Sequence, residues 1–164
     1  MQASSRLELG GIHGPVSDLI ETDEQFSVAI EIALGGNLQN IVVGTEQHGK
    51  AAINYLKQKD YGRATFLPLS AVKERYQSRK NLEQEPGFMG WADELARTKA
   101  DYTKLITSLL GGTAVMDTMD SAIAAAKRHS YAFRIVTLDG QLINPSGAMT
   151  GGSLGRNTGV LSRA

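Results

Sequence analysis

The chain has no cysteine, which excludes disulfides and thiolate metal sites and agrees with a reducing compartment. No stretch approaches the roughly 18 consecutive apolar residues of a membrane-spanning helix. The N-terminus lacks the charged start and apolar run of a secretory leader. Net charge is missing too, since 17 Lys and Arg balance 17 Asp and Glu. Catalytic signatures are equally scarce. The only Gly-Lys pair, Gly49-Lys50, is followed by Ala51, so no P-loop lysine is set to reach a phosphate. "GGSLG" (Gly151–Gly155) matches the G-x-S-x-G elbow of hydrolases, with Ser153 as nucleophile. That fold places its acid and histidine after the serine, and residues 154–164 contain no Asp, Glu or His. His13, His48 and His129 have no metal-ligand spacing, and the pairs Glu83/Glu85 and Asp93/Glu94 read as solvated carboxylates. No catalytic constellation, metal site or cofactor site is expected.

What is present is unevenly distributed. Residues 1–50 carry two basic and seven acidic side chains, a balance of −5. Residues 121–164 carry Lys127, Arg128, Arg134, Arg156 and Arg163 against Asp139 alone, a balance of +4. Such asymmetry gives a neutral protein a local basic surface or simply an ordinary solvated face. A length of 164 residues and a hydrophobic content of 41% suit one domain, or two small lobes sharing a core.

The chain also repeats itself. "GPVSDLIETDEQFSVAIEIALGG" (Gly14–Gly36) aligns without gaps on "GWADELARTKADYTKLITSLLGG" (Gly90–Gly112), a constant offset of 76 residues. Leu19 meets Leu95, Thr22 meets Thr98, Phe26 meets Tyr102 and Ile30 meets Ile106. Each copy reads as helix, strand, helix, strand. Phe26, Ile30, Ala33 and Leu34 share one helical face, the Gly-Gly pair ends that helix, and short apolar runs come next as strands. Asp139-Gly140 between apolar runs signals a hairpin in the second copy. These features predict an α/β (α+β) fold of two pseudo-repeated lobes, each with helices on a small sheet. The expected boundaries are a stub at 1–8, lobe 1 at 9–69, a connector at 70–89, lobe 2 at 90–155 and a second stub at 156–164. "QSRKNLEQEPG" within the connector reads as polar loop, and Phe88 and Trp91 are expected to fill the lobe junction.

"NPSGAMTGGSLG" (Asn144–Gly155) concentrates glycine after a strand-like run. Pro145 has no N–H for a ladder, and the glycines leave the segment with little side chain. Bare backbone at a sheet edge must be covered or paired, and closed homo-oligomers are the common means. This points to Ser146, Gly147, Met149, Thr150, Gly151 and Gly152 as a homodimer interface. An intramolecular turn with no partner is the competing reading.

"GIHGPVSDLI", "LGGNLQNIVV", "GRATFLPL", "FRIVTLDGQLINPSGAMTGGS" and the trailing "LSR" together resemble the hinge domain of bacterial structural-maintenance-of-chromosomes (SMC) proteins, over about Leu9–Arg163. The resemblance implies an SMC hinge fold lying between two coiled-coil arms, with two hinges joining in a ring-like dimer through edge strands. It also implies a role in chromosome condensation and segregation, a cytoplasmic, nucleoid-associated location, no membrane partner, and an ATPase in head domains absent from this stretch. The chain itself is therefore expected not to be an enzyme. One departure is visible: where the family often has Pro-Gly-Gly-Ser-Met-Thr-Gly-Gly, this chain has Ser146 for a glycine and Ala148 for a serine. The resemblance also implies DNA binding through basic residues near the arm junction, expected in this chain to be weak, without sequence preference, and on single or double strands. Lys57, Lys59, Arg63, Arg156 and Arg163 are the candidate contacts. The alternative from another class is a nucleotide-binding α/β regulatory domain.

Overall fold

The 76-residue offset is carried through the backbone of the computed structural model, which describes residues 10–73, 80–154 and Leu161. Strand β1 (Ile12–Pro15), helix α1 (Val16–Leu19), strand β2 (Glu21–Thr22), a 3-10 turn at Glu24–Phe26 and helix α2 (Ser27–Leu34) open lobe 1. They recur as β5 (Phe88–Trp91), α4 (Ala92–Leu95), β6 (Ala96–Arg97), a 3-10 turn at Ala100–Tyr102 and α5 (Thr103–Leu110). The first strand of each copy was hidden from the sequence by its brevity. It begins at Phe88 in lobe 2, inside the stretch read as connector. A register irregularity falls between Ile12 and Gly14 in β1, and again between Phe88 and Gly90 in β5.

Each copy then continues as a strand–helix–strand unit in the order expected. Lobe 1 has β3 (Ile41–Val43), α3 (Glu46–Lys59) and β4 (Phe66–Pro68); lobe 2 has β7 (Thr113–Met116), α6 (Met119–Arg128) and β8 (Arg134–Thr137). Equivalent threonines cap the two helices: Thr45 Oγ1 accepts from the His48 N–H and Thr118 Oγ1 from the Ser121 N–H. At α3 the His48 ring Nδ1 accepts from the Thr45 N–H in return, at 3.2 Å, so histidine stands where a capping box has Glu or Gln.

In lobe 1 the sheet order is β1-β3-β4, with β3 antiparallel to β1 and parallel to β4. Lobe 2 repeats this as β5-β7-β8 and extends it by β9 (Leu142–Ile143) and β10 (Met149–Thr150), both antiparallel additions. The expected Asp139-Gly140 hairpin is the β8–β9 turn, closed by the Thr137 N–H on the Gln141 carbonyl at 2.8 Å.

A third, two-stranded ladder joins the lobes, pairing Glu21 with Arg97 and Thr22 with Ala96. Thr22 Oγ1 donates to the Leu95 carbonyl at 2.7 Å, and Thr98 Oγ1 donates to the Leu19 carbonyl at 2.6 Å. The 76-residue offset exchanges these two bonds, so each is the other's counterpart across a local pseudo-twofold axis. Leu161 returns to this seam, fully buried, and its carbonyl accepts from the Thr22 N–H at 3.2 Å. Arg97 also reaches Asp23 across the seam at 2.8 Å, but both side chains are half-exposed and such pairs contribute under about 1 kcal/mol.

The shared core lies between α2 and α5, with Ile20, Ile30, Leu34, Leu105 and Leu110 at its centre. Burial of side chains of this size stabilises by about 1.5–3 kcal/mol each. Phe88 and Trp91 do not fill this junction. They pack beneath α6 in lobe 2's own second core, where Trp91 meets Phe133 edge-on at 5.5 Å, because β5 turns that face outward. Leu82 of the polar stretch "QSRKNLEQEPG" is buried in the same core, so that stretch is anchored by its one large apolar residue. Glu85 is not solvated either: Arg128 and His129 close on it, with His129 Nε2 at 2.9 Å. Among the described residues no helix is long and apolar enough to cross a membrane.

Candidate dimer interface

The glycine-rich segment is a hairpin followed by an exposed extended stretch. Asn144–Gly147 forms the β9–β10 turn, with the Gly147 N–H on the Asn144 carbonyl at 2.8 Å and the Asn144 N–H on the Ala148 carbonyl at 2.9 Å. A three-residue loop of this kind ends on a residue with positive φ, and Gly147 supplies it at +91°. Ser146 does not need glycine's freedom, since it is absent from the residues with positive φ. Its Oγ accepts from the Ala148 N–H at 3.3 Å. The departure from the family pattern at position 146 is therefore accommodated.

Gly151 lies close against a side chain of its own chain. A Cβ there would lie 1.7 Å from Gln141 Oε1, which accepts from the Gly152 N–H at 3.0 Å. Gln141 thus clamps the segment to the β8–β9 turn. Within the chain, Gly147 supplies the positive φ of the turn and Gly151 lies against Gln141. The segment they shape is nonetheless open: every residue from Pro145 to Leu154 is exposed, and Met149 keeps 55% of its surface. In the β9–β10 ladder Met149 faces Ile143 and Thr150 faces Leu142. The bond from the Asn144 N–H to the Ala148 carbonyl makes 144 and 148 a hydrogen-bonded position of the ladder, so the alternation of an antiparallel ladder turns the backbone N–H and C=O of Met149, one residue on, away from β9.

A second open edge lies in lobe 1, and sequence reasoning missed it. Strand β4 is the counterpart of β8, yet β8 is flanked by β9 and β4 has no such neighbour among the described residues. Ile135, Val136 and Thr137 of β8 are fully buried, whereas Phe66, Leu67 and Pro68 are only half-buried. The Thr65 carbonyl accepts from Ile41 at 2.9 Å and the Leu69 N–H donates to Val43 at 2.8 Å, so the backbone of Phe66 points outward. The signal was Pro68, because proline in a strand marks an edge.

The basic candidates divide. Lys57 and Lys59 close the last turn of α3 and Arg63 lies between α3 and β4, all exposed. Two residues apart on a helix, Lys57 and Lys59 point to opposite flanks, and both complement the negative end of the helix dipole. Arg156 and Arg163 lie outside the described residues. The histidines have structural partners: His13 Nδ1 meets the Tyr102 hydroxyl at 2.8 Å, His48 caps α3, and His129 joins Glu85. Hydrogen bonds from Arg128 hold the Glu85 carboxyl below its ordinary range, against a smaller opposing effect of burial. Ser153 lies on the exposed stretch beyond β10. Among the described residues no three His, Asp or Glu side chains are grouped to hold a metal.

The family model for the SMC proteins Flexible Hinge Domain matches residues 9–126. The Chromosome partition protein Smc of Lactiplantibacillus plantarum is 41% identical over 156 residues, covering 93% of this chain and 13% of that protein. The Bacillus subtilis protein of the same name is 41% identical over 160 residues, covering 95% and 14%. The chain thus spans about one-seventh of the length of these relatives. Among solved structures, an asymmetric dimer of the Geobacillus stearothermophilus SMC hinge domain matches with a TM-score of 0.86 and 43% identity, over 93% of this chain and 63% of that one. The Pyrococcus furiosus SMC hinge domain matches at 0.77 and 31%, over 99% and 81%. The nucleotide-binding alternative finds no such support. A duplicated α/β unit with a seam of reciprocal threonines, matched along nearly its whole length by hinges, belongs to the SMC hinge-domain family.

Proposed function

We propose that this chain is the homodimerisation module of an SMC protein acting in chromosome condensation and segregation in the nucleoid, with ATP hydrolysis residing in head domains elsewhere in that protein. The observation that carries the reading is the unequal extension of the two sheets. Lobe 2 ends on the exposed strand β10, and lobe 1 ends on β4 where β8 has a covering strand. Each chain therefore has one edge to donate and one to receive. Addition of β10 to β4 of a second copy, made twice about a twofold axis, joins sheets of five and three strands and satisfies both edges. Ser146, Gly147, Met149, Thr150, Gly151 and Gly152 form the donor side, with the glycines shaping the strand. Sedimentation at micromolar concentration is expected to give twice 17.6 kDa; a monomer there overturns the reading.

Weak DNA binding without sequence preference belongs to the same proposal. Its support is the exposed Lys57, Lys59 and Arg63, with Arg156 and Arg163 as further candidates from the sequence. Binding on short duplexes is expected to weaken with salt, the log–log slope losing about 0.9 per phosphate contact removed. Charge reversal at Lys57, Lys59 and Arg156 together is expected to flatten that slope. An unchanged slope places the DNA surface elsewhere.

A further inference from the structure

Helix α3 carries a large apolar residue that stands half-exposed. Ile53 is 52% exposed. The equivalent caps Thr45 and Thr118 align it with Ala126 of α6, which is only 1% exposed. The two helices sit alike on their sheets, so the difference has a local cause. Helix α6 also packs on β9, and Ala126 shares a buried cluster with Ile143 of that strand. Nothing among the described residues occupies the β9 position in lobe 1, and there the larger Ile53 stands uncovered.

Helical geometry says which way Ile53 faces. Gly49, one turn earlier, lies over Val43, Phe66 and Pro68, and Ala52 is fully buried. A right-handed β3–α3–β4 crossover then turns Ile53 toward the open side of β4. Tyr55, about 200° further round the helix, faces the opposite flank, where it meets Tyr61 edge-on at 5.8 Å.

Resting on the edge-pairing reading of the dimer, we infer that Ile53 is the receptor for Met149 of a second copy, and that β10 joins β4 antiparallel. Met149 sits directly across from Ile143 in the β9–β10 ladder, so both side chains project on the α6 face. Antiparallel addition rotates the second copy within the plane of the sheet and leaves α3 on the same face as α6. Met149 then takes beside Ile53 the place that Ile143 holds in the cluster shared with Ala126. Parallel addition flips the sheet and carries Met149 to the far face, away from Ile53. The thioether of methionine suits an uneven apolar contact of this kind.

The absence of native cysteine makes a clean test available. Ile53→Cys and Met149→Cys, introduced in separate chains, are mixed and treated with a short bis-maleimide. A covalent dimer is expected from that pair and none from Tyr55→Cys mixed with Met149→Cys. Ile53→Glu, at an exposed position, is expected to stay folded by circular dichroism and to weaken dimerisation by about tenfold or more. If the wild type dimerises but the Ile53→Cys and Met149→Cys mixture does not cross-link and Ile53→Glu does not weaken the dimer, this inference is overturned and the dimer reading stands. A wild-type monomer overturns both.

Discussion

Removing the hydroxyl of Thr22 tests whether burial or bond length governs the seam between the lobes. Thr22 is 1% exposed and its Oγ1 donates to the Leu95 carbonyl at 2.7 Å. Thr22→Val keeps the shape and deletes the donor, leaving a carbonyl that water reaches poorly. A net hydrogen bond contributes about 0.5–1.5 kcal/mol, and an abandoned buried acceptor raises the loss to about 1–3 kcal/mol. Its counterpart Thr98 makes the shorter bond, 2.6 Å, but is only half-buried. Water replaces that donor more readily, so Thr98→Val is expected to cost no more than about 1 kcal/mol. Urea unfolding gives the two values, and thermal midpoints should fall by about 2–4 °C per kcal/mol for a chain of this size. Protomer concentration must be matched, because dimerisation raises apparent stability by mass action. Thr22→Ser, which retains the hydroxyl, should lose less than Thr22→Val. A Thr98→Val variant less stable than Thr22→Val would refute the argument, as would a Thr22→Val variant indistinguishable from wild type.

Glu85→Gln is expected to destabilise the chain at pH 7. The folded-state carboxyl is held below the ordinary value of 4.5 by Arg128, so its stabilisation is present above that value and is lost as acid protonates the folded state. The gap between variant and wild-type stability should therefore narrow as the pH falls below 4.5, and a gap independent of pH would show that Glu85 acts by packing alone. Gly151→Ala should loosen the β10 segment by displacing the Gln141 clamp, seen as faster amide exchange at Gly152. Adding Gln141→Ala should make the alanine at 151 nearly neutral; strict additivity of the two changes would mean that the 1.7 Å conflict is not what selects glycine there.

The repeat was legible because it is local: a gapless offset of 76 residues preserves each helix face, each Thr of the seam and each Gly-Gly stop. The Asp139-Gly140 turn was legible for the same reason, since turn chemistry is written in three or four consecutive residues. What escaped is non-local. Whether another strand covers β4 depends on what packs beside it and not on the strand itself, and no periodicity within "ATFLPL" encodes that, although Pro68 hinted at it. Trp91 was misplaced because alternation tells that a strand has two faces but not which face meets which core. Leu82 and Glu85 were read from the polarity of their neighbours, when a single apolar anchor and one Arg–Glu–His cluster decide where that stretch lies. Gly151 is singled out in the sequence for the approach of a partner's backbone, and within the chain it is the side chain of Gln141 that lies against it.

The contact between Leu161 and Thr22 bears on how force travels through the molecule. A pull on the C-terminal end of the chain enters at Leu161, whose side chain is locked in the shared core and whose carbonyl is held by β2. From β2 the load passes sideways to β6, and through the two threonine hydroxyls to the ends of α1 and α4. These lie one in each lobe, so the strain is divided between the lobes at the seam before it reaches either sheet.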